Sequence, residues 1–536
     1  MMDFENKKEQ ELKPLDIKFF STEEMVADFE KKGLKKYADG YREMIIIAEE
    51  IKKNGGRALL NGGSVRDFFT GKLIKDLDLE IYHLSFEKIK EIVEGLGFRC
   101  TLAGQSFCVL NVSGKSGILF DLSLPRTDSK AADDKVRGRG IIANTDPKMS
   151  ITEAGKRRDF TINSMYADPL SGEIYDPYSG LHDLHQRTLR ATDEKTFGDD
   201  PLRVLRGVQF VARFGLQIEP KTALLMRQVA PRMENLPASR FLEEWKKLLL
   251  KADKPSIGLV IAMGLGIMKY IHPDMVPMAI TKQEKKHHPE GDAFIHTLMV
   301  VDEMAKIIRR ENLLEIDGQK AFTLILAALN HDLGKVSKTT VDETGKINSF
   351  GHEAAGTEPT EKFLTRINIQ PPQKDKITNL VREHMTPTVL YIAENYQGKK
   401  VSDKAIRDLA KRLFPATIEE LVLVAEADHL GRGTEDNSDQ ENSLLEYGIY
   451  LPKAWLLERA KKCAVLDSKP ADIIGGKDLL ILDLKSGPNF GKIIRLANEL
   501  RDELNFDKDQ VLKLMAGENS AEKIIIKIEK KLKKTV

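Results

Sequence analysis

A pair of glycines, followed closely by two aspartates, constrains the fold of this 536-residue chain more than any other stretch. In the string LNGGSVRDFFTGKLIKDLDLE, Gly62 and Gly63 end one apolar run, and Asp76 and Asp78 open another. Glycine lets the backbone approach a bulky anion, because it has no Cβ and tolerates positive φ. If residues 75–82 form a strand, its period of two puts both carboxylates on one face, where they suit Mg²⁺. Each motif alone is common in turns and on surfaces, but their order and spacing predict a metal-dependent nucleotidyl-transfer site.

Length and composition limit the class of protein. The length predicts about two to four domains, because a single core rarely grows beyond about 300 residues. The formal charge is only +1, from 83 basic and 82 acidic residues, so a nucleic-acid partner requires a local basic face. Cys100, Cys108 and Cys463 are too far apart for a metal motif or a disulfide framework. No apolar run reaches the roughly 18 residues that span a bilayer, and the charged N-terminus does not resemble a secretory signal. We therefore expect a cytoplasmic protein.

Hydrophobic periodicity around the glycine and aspartate motifs predicts alternating helices and strands. Residues 41–53 and 86–96 have helical patterns, and residues 107–112 and 117–122 have strand patterns. Asp121, in the last of these strands, either brings a third carboxylate towards the metals or is a surface acid at a strand end.

Residues 125–146 are polar and contain Lys135, Arg137 and Arg139. Their composition predicts a mobile loop beside the site. Its cations are either solvated or in contact with phosphates.

The string GKRRDFTINSMY contains further groups that suit a nucleotide. Arg157 and Arg158 carry permanent charge and can fork onto phosphate. Asp159 can accept a hydrogen bond from a ribose hydroxyl, and Asn163 adds an amide. The alternative is an ordinary Arg–Asp pair on a helix surface.

The string FGDDPLRVLRGVQFVARF predicts a helix that begins at Pro201, with Asp199 or Asp200 as its cap. Arg203 and Arg206 then follow on successive turns. A carboxylate accepts from an exocyclic amine and a guanidinium donates to ring acceptors, so this face can read cytosine and adenine. Uracil and guanine present a carbonyl in place of that amine. The alternative is a capped helix with a basic stripe.

A second group of potential ligands lies between residues 291 and 430. Imidazole and carboxylate bind divalent metals such as Mn²⁺, Fe²⁺, Ni²⁺ or Zn²⁺. A single histidine on a helix is usually structural, whereas this ordered series favours a metal site over an inactive helical spacer. The series is His296, His331, Asp332, His352, His384 and Asp428.

The order of motifs in the first half resembles bacterial class II tRNA nucleotidyltransferases, the CCA-adding enzymes, together with their poly(A) polymerase relatives. The matching strings are GGSVRD with DLD, then DLSLPR, RRDFTINSM and DDPLRVLRGVQFVARFG. Near the C-terminus, IIGGKDLLILDLKSGPNFGKII resembles the tail region of that family. The resemblance extends over roughly residues 45–500.

The resemblance implies that Asp76 and Asp78 hold two Mg²⁺ ions. It also implies that Asp200 and Arg203 act as an amino-acid template that selects CTP and then ATP. Many family members begin this motif with Glu-Asp, whereas this chain has Asp199 before Asp200, which leaves the switch from C to A open. The residues assigned to nucleotide binding are Gly62, Gly63, Arg66, Arg158, Asp159, Asn163, Asp200, Arg203 and Arg206.

The second group of ligands resembles the HD phosphohydrolase superfamily, an all-helical domain. The strings that carry this resemblance are HTLMVVDEM, NHDLGK, GHEAAG, REHM and EADHLGR. It implies that His352 and His384 complete a second metal site. The ligands implied for the first metal are His296, His331, Asp332 and Asp428. Some CCA-adding enzymes carry this domain with phosphatase or 2′,3′-cyclic phosphodiesterase activity, which suggests repair or trimming of RNA ends.

We expect an α+β protein with a polymerase-β-like nucleotidyltransferase head, built from a mixed sheet with helices. An all-α neck, an HD domain and a tail follow. The predicted parts are an N-terminal extension (1–42), the head (43–192), the helical neck (193–280), the HD domain (281–450) and the helical tail (451–536).

The first hypothesis is addition of CCA to the 3′ end of tRNA without a nucleic-acid template. A poly(A) polymerase, or an enzyme restricted to A or CC addition, is the nearest alternative. An HD phosphohydrolase with an inactive head is a second alternative, and a noncatalytic RNA-binding protein is a third. The sequence does not predict the oligomeric state.

Overall fold

The computed structural model describes residues 13–16, 22–71, 77–102, 109–130, 141–432, 444–446, 449–518 and 520–533. The chain divides into two compact units. Unit 1 comprises Met1–Ala252 with Ile257–Ile271, and unit 2 comprises Asp253–Ser256 with His272–Val536. Within the described ranges, no helix is long and apolar enough to cross a membrane.

Unit 1 contains a seven-stranded mixed sheet in the order β3-β4-β5-β2-β1-β8-β9. Its neighbouring strands are antiparallel, except for the parallel pair of β2 and β5. The seven strands of this sheet are β1 (Arg57–Asn61), β2 (Leu77–Tyr82), β3 (Arg99–Leu102), β4 (Val109–Ser113), β5 (Leu119–Ser123), β8 (Tyr166–Ala167) and β9 (Ile174–Tyr175). Outside it lie two separate pairs: β6 (Arg126–Lys130) with β7 (Ile141–Thr145), and β10 (Thr188–Leu189) with β11 (Gln217–Ile218).

Helices pack against this sheet and continue after it. In α2, Tyr41, Met44, Ile47 and Ile51 recur at helical spacing and are all buried, which explains why this segment forms an amphipathic helix. The helices are α1 (Thr22–Lys31), α2 (Lys35–Lys53), α3 (Gly63–Phe69), α4 (Phe86–Gly95), α5 (Ile151–Gly155), α6 (Gly180–His185), α7 (Leu202–Phe214), α8 (Pro220–Val229), α9 (Ala238–Lys251), α10 (Pro255–Gly264) and α11 (Met268–Ile271).

Unit 2 is helical apart from two short hairpins. Its centre is formed by α12, which packs against α14 and α21, and by α18, which packs against α14. The helices are α12 (Ala293–Arg310), α13 (Leu313–Ile316), α14 (Gly318–Asn330), α15 (Lys335–Lys338), α16 (His352–Ala355), α17 (Thr357–Arg366), α18 (Pro371–Glu383), α19 (Thr386–Asn395), α20 (Asp403–Leu413), α21 (Ile418–Leu430), α22 (Leu451–Lys462), α23 (Gly476–Ile481), α24 (Asn489–Leu504), α25 (Lys508–Met515) and α26 (Ala521–Lys533). The hairpins pair β12 (Thr340–Val341) with β13 (Ile347–Asn348) and β14 (Leu445–Glu446) with β15 (Ile449–Tyr450).

The prediction of a mixed α+β head followed by helical regions is confirmed. The prediction of a loop over residues 125–146 is wrong at both ends, because β6 and β7 form an antiparallel ladder there. The ladder satisfies backbone hydrogen-bonding groups that an irregular segment would leave to water. The intervening Lys135, Arg137 and Arg139 lie outside the described residues.

Candidate active site and metal centre

The glycine pair forms a tight connection between β1 and α3. Gly62 has φ +64°, a conformation that L side chains rarely adopt. A Cβ at this position would lie 3.0 Å from Nη1 of Arg158. Glycine is therefore needed both for the backbone conformation and for the close approach of the guanidinium. The sharp turn leaves this backbone beside a cation, as binding of a phosphate requires.

The carboxylate pair is only partly described, because Asp76 lies in the gap between residues 71 and 77. Asp78 lies in β2, and the parallel register places it directly opposite Asp121 in β5. Asn111 of β4 donates a hydrogen bond to Asp121. The sheet therefore makes Asp121 the neighbour of Asp78, and its role as a third carboxylate stays a prediction.

Glu80 is a site residue that the sequence reasoning missed. It follows Asp78 by two positions in β2, and its side chain is fully buried. Its Oε2 accepts hydrogen bonds from Arg157 (2.8 Å) and Arg158 (3.3 Å), and its Oε1 accepts one from the Tyr82 hydroxyl (2.7 Å). The strand period of two was the available signal, since it places Glu80 on the face of Asp78. Glu80 holds both arginines beside the glycine turn.

Arg66 is buried rather than free at the surface of α3. It donates to Oδ1 of Asp67 from Nε (2.8 Å) and to Oδ1 of Asn163 from Nη1 (2.6 Å). Its guanidinium carbon lies 4.5 Å from the ring centroid of Phe214 and 5.4 Å from that of Phe210. These contacts fix the orientation of the guanidinium, so a ligand would meet a preorganised cation.

Asp159 and Asn163 connect the head motifs to α7. Asp159 accepts from the Asn163 amide (2.9 Å) and from Nε of Arg206 (2.7 Å). Burial raises the pKa of Asp159, but Arg206 and the Asn163 hydrogen bond lower it by more, so the net shift is downward. Asp159 is therefore an ionised, fully engaged acceptor. These hydrogen bonds connect the segment that contains Asp159 and Asn163 to Arg206 of α7.

Asp200 lies just before α7 and Arg203 lies in its first turn, and the side chains of the two residues have different partners. Oδ2 of Asp200 lies 2.6 Å from Nη2 of Arg240. Arg203 is buried and donates to the carbonyl oxygens of Thr196 (2.7 Å) and Arg157. The predicted template residues are thus held apart, each by a different part of unit 1. Their role in base selection stays a prediction.

The second ligand series converges in the centre of unit 2. His296 lies in α12, His331 and Asp332 follow the end of α14, and His384 follows the end of α18. His352 belongs to α16 and Asp428 to α21. Nε2 of His296 is 3.0 Å from Oδ1 of Asp428 and 3.7 Å from Oδ2 of Asp332. His331 and His352 approach Asp332 at 3.2 Å and 3.3 Å. The His384 ring lies 5.3 Å from that of His352. Helix packing therefore gathers all six side chains of the series.

The donor atoms of this cluster fit a divalent metal. In the described part of the chain, no hydrogen-bond partner is found for Nε2 of His331, His352 and His384, although all three atoms are buried. The carboxylate of Asp332 lies beside two of these atoms, and its Oδ2 is also paired with Lys335. Buried polar atoms normally have partners, and a metal ion bound by imidazole and carboxylate would supply them.

The protonation states of His384 and Asp332 also suit metal binding. Burial, together with the nearby His331 and His352, lowers the pKa of His384 to about 3. Burial raises the pKa of Asp332, but His331 and Lys335 lower it by more, so the carboxyl is ionised. A neutral imidazole and a carboxylate are the forms that bind metal.

Four residues around this cluster were not predicted. Lys335 contacts Asp332 at 2.7 Å and donates to Oε1 of Gln283 at 2.6 Å. Glu290 contacts both His288 (2.9 Å) and His296 (2.8 Å). For Lys335, the local signal in the sequence was its spacing after the pair His331-Asp332. The other three residues precede α12 in a segment without periodicity, so no local signal pointed to them.

Comparisons with known proteins match the regions of the chain that contain both clusters. Three family models match: the poly A polymerase head domain (residues 58–190), the probable RNA- and SrmB-binding site of polymerase A (215–278) and the HD domain (293–433). The "Multifunctional CCA protein" of Xanthomonas campestris is 32% identical over 388 residues, which cover 70% of this chain and 86% of the relative.

Solved structures share the fold. The Bacillus stearothermophilus CCA-adding enzyme in complex with CTP has a TM-score of 0.56 and 18% identity, covering 92% of this chain and 99% of that one. The Thermotoga maritima CCA-adding enzyme complexed with tRNA has a TM-score of 0.52 and 16% identity, covering 93% and 98%. On the strength of its sequence relatives, this chain belongs to the CCA-adding tRNA nucleotidyltransferase family.

Proposed function

We propose that this protein adds C, C and A to the 3′ end of tRNA, using CTP and ATP and no nucleic-acid template. The observation that carries the proposal is the pairing of Asp78 with Asp121 beside the turn at Gly62. That arrangement combines acidic oxygens for Mg²⁺ with backbone and cations for a triphosphate. The relatives named for CCA addition, and the related structures with CTP and with tRNA, support the same reaction.

In this proposal the chain mainly positions the reactants. Asp76 and Asp78 would hold two Mg²⁺ ions, which when bound activate the RNA 3′-hydroxyl and neutralise charge on the leaving pyrophosphate. The turn at Gly62 and Gly63 would carry the triphosphate on its backbone, and Arg66 would neutralise its charge. The glycine turn and Arg66 are held in place before substrate arrives, so they need little reorganisation during the reaction.

Base selection is assigned to the first turn of α7 and to the residues just before that helix. Asp159 would bind near the ribose, while Asp200 and Arg203 would read the amine-plus-acceptor edge that cytosine and adenine share. The clamp of Arg203 on two carbonyl oxygens supports this assignment, because a fixed guanidinium discriminates better than a mobile one.

We further propose that the cluster in unit 2 hydrolyses phosphate esters at RNA ends with a transition metal such as Mn²⁺, Ni²⁺, Fe²⁺ or Zn²⁺. His296, His331, Asp332 and Asp428 would hold one ion, which when bound would supply a nucleophilic hydroxide. His352 and His384 would complete a second site. The unpartnered Nε2 atoms in this cluster support the assignment.

The head is tested with Mg²⁺, each nucleoside triphosphate singly, and tRNA transcripts that end before CCA, after C and after CC. We expect ordered addition of C, C and A. Long A tails would instead support a poly(A) polymerase, and addition that stops after CC or is limited to A would indicate a partial enzyme. Absence of incorporation, together with metal-dependent hydrolysis of phosphate esters, would refute the proposal for the head.

Separate variants test whether the two sites are independent. Asp76→Ala should abolish nucleotide incorporation and leave hydrolysis of phosphate esters unchanged, because it removes a carboxylate from the head alone. The matched variant His331→Ala should have the opposite effect. If either variant abolished both activities while the protein stayed folded, the assignment of two independent sites would be wrong.

A further inference from the structure

The four histidines of the unit 2 cluster are oriented in two different ways. In three of them, Nδ1 lies within hydrogen-bond distance of the carbonyl three residues earlier. The pairs are His331 with Ala328 (2.8 Å), His352 with Ser349 (2.8 Å) and His384 with Val381 (2.7 Å). A carbonyl can only accept, so each Nδ1 carries the proton and each Nε2 keeps the lone pair that a metal needs.

His296 lacks this backbone anchor. It lies in the first turn and a half of α12, and within the described residues its Nδ1 has no hydrogen-bond partner of good geometry, neither a carbonyl nor any other group. That atom instead faces a side chain, because Oε1 of Glu290 lies 2.8 Å away. His296 is fully buried, and only 3% of the Glu290 side chain is exposed. The contact is therefore shielded from water, where the position of one proton matters most.

Glu290 is itself held in place. Nδ1 of His288 lies 2.9 Å from the same oxygen, and the His288 and His296 rings meet edge to face at 4.5 Å. The segment that carries Glu290 is closed at its base by the antiparallel bridge between Lys282 and Asp292. A backbone hydrogen bond from Ala293 to Thr281 (3.0 Å) reinforces this closure. The carboxylate is thus a fixed acceptor rather than a mobile one.

We propose that Glu290 is a positioning residue that keeps the proton of His296 on Nδ1 and so presents Nε2 to the divalent metal. A carboxylate at 2.8 Å repels a lone pair on Nδ1, so the other tautomer is disfavoured. Metal-binding histidines commonly donate their second ring N–H to such a partner. The inference rests on the proposal that this cluster binds a divalent metal. It makes Glu290 the only side chain in the described cluster that performs the task that backbone carbonyls perform for the other three histidines.

An alternative is that His288, Glu290 and Nδ1 of His296 bind a cation of their own, since their donor atoms lie close enough together. In that case Nδ1 would be deprotonated, and Glu290 would be a ligand. The two possibilities differ in metal stoichiometry. Loss of a positioning residue weakens the binding of an ion, whereas loss of a ligand to a separate site removes one ion from the count.

The test uses full-length protein freed of metal with EDTA and then titrated with Co²⁺. The visible absorption of Co²⁺ reports sites with imidazole ligands, and metal is counted after dialysis. Glu290→Ala should weaken Co²⁺ binding about 10- to 100-fold. Glu290→Gln should weaken it less, because the amide oxygen can still accept from Nδ1. The matched control is Glu303→Gln, which changes an acid in α12 that has a partly exposed ion pair with Lys306 (2.6 Å), and this variant should bind Co²⁺ like the wild type.

Each outcome decides between the possibilities. Weaker binding with an unchanged number of ions, and hydrolysis restored by excess metal, supports the positioning role. Unchanged affinity in Glu290→Ala overturns it. Loss of one whole ion with unchanged affinity of the others also overturns it and indicates a separate cation site. If the wild type binds no Co²⁺, the proposed metal site itself fails, a result that is distinct from a failure of Glu290 alone. Circular dichroism of the metal-free variants checks folding, and Glu290→Gln preserves the test if the alanine variant unfolds.

Discussion

His272 should make the stability of unit 2 depend on pH. Its ring is fully buried and stacks on Phe363 with a centroid distance of 3.8 Å, while Nε2 lies 3.0 Å from Oδ1 of Asn330. Burial lowers its pKa from 6.5 to about 3, although the Asn330 contact opposes the shift. Between these two values the unfolded chain binds a proton that the folded chain does not. The free energy of unfolding contributed by His272 is therefore complete above about pH 6.5 and is lost as the pH falls towards 3.

The size of the effect follows from the two pKa values. For a single group with an unfolded pKa of 6.5, the free energy of unfolding falls by about 2 kcal/mol between pH 7 and pH 5. His272→Gln removes the titration but keeps a side-chain donor that can reach Asn330. The variant also loses the stacking of His272 on Phe363, which lowers its free energy of unfolding by the same amount at every pH. The difference in stability between wild type and variant should therefore shrink by about 2 kcal/mol over this range.

Urea unfolding in EDTA measures this difference. Trp455 lies in unit 2 and Trp245 lies in unit 1, so a Trp245→Phe background makes tryptophan fluorescence report unit 2 alone. Other buried histidines titrate equally in both proteins and cancel in the comparison. If the two proteins lose stability in parallel between pH 7 and pH 5, His272 is not held neutral by burial and the reasoning is refuted.

Two further predictions concern the head. Glu80→Gln should lower the stability of unit 1 by about 3 kcal/mol, because it leaves Arg157 and Arg158 side by side without their buried counter-charge. It should also raise KM for CTP more than it lowers kcat. The surface variant Glu91→Gln is the control, and an unchanged KM in Glu80→Gln would show that the arginines do not serve the triphosphate. Arg203→Ala should increase incorporation of UTP relative to CTP about tenfold, since a charge-assisted hydrogen bond is worth about 1.5–3 kcal/mol. An unchanged ratio, measured by single-nucleotide addition, would remove Arg203 from base selection.

Local structure was largely predictable from the sequence. The helical pattern of residues 86–96 corresponds to α4 (Phe86–Gly95), and the pattern of residues 117–122 overlaps β5 (Leu119–Ser123). These elements follow from side-chain periodicity, which each segment carries in its own residues. The apolar run in α14 has no such periodicity, because that helix is buried on all sides from Ala321 onward.

Contacts between distant segments were not predictable in this way. β6 and β7 become strands only by pairing across the intervening residues, so composition alone suggested a loop. Glu80 binds arginines 77 and 78 positions later, and no local pattern links them. Arg203 donates to the carbonyl oxygens of Thr196 and Arg157, while Asp200 pairs with Arg240, and no local pattern predicts these partners.

The sequence by itself determined which chemical groups are available: the glycine turn, the spaced aspartates, and the ordered histidines and aspartates of unit 2. Only the tertiary structure decided how they are oriented. It set Asp78 opposite Asp121 through strand register, and it brought Glu290 to His296 through the closed segment before α12. The physical reason is that residue type and spacing follow from covalent order. The direction of a buried side chain depends instead on partners supplied by other segments.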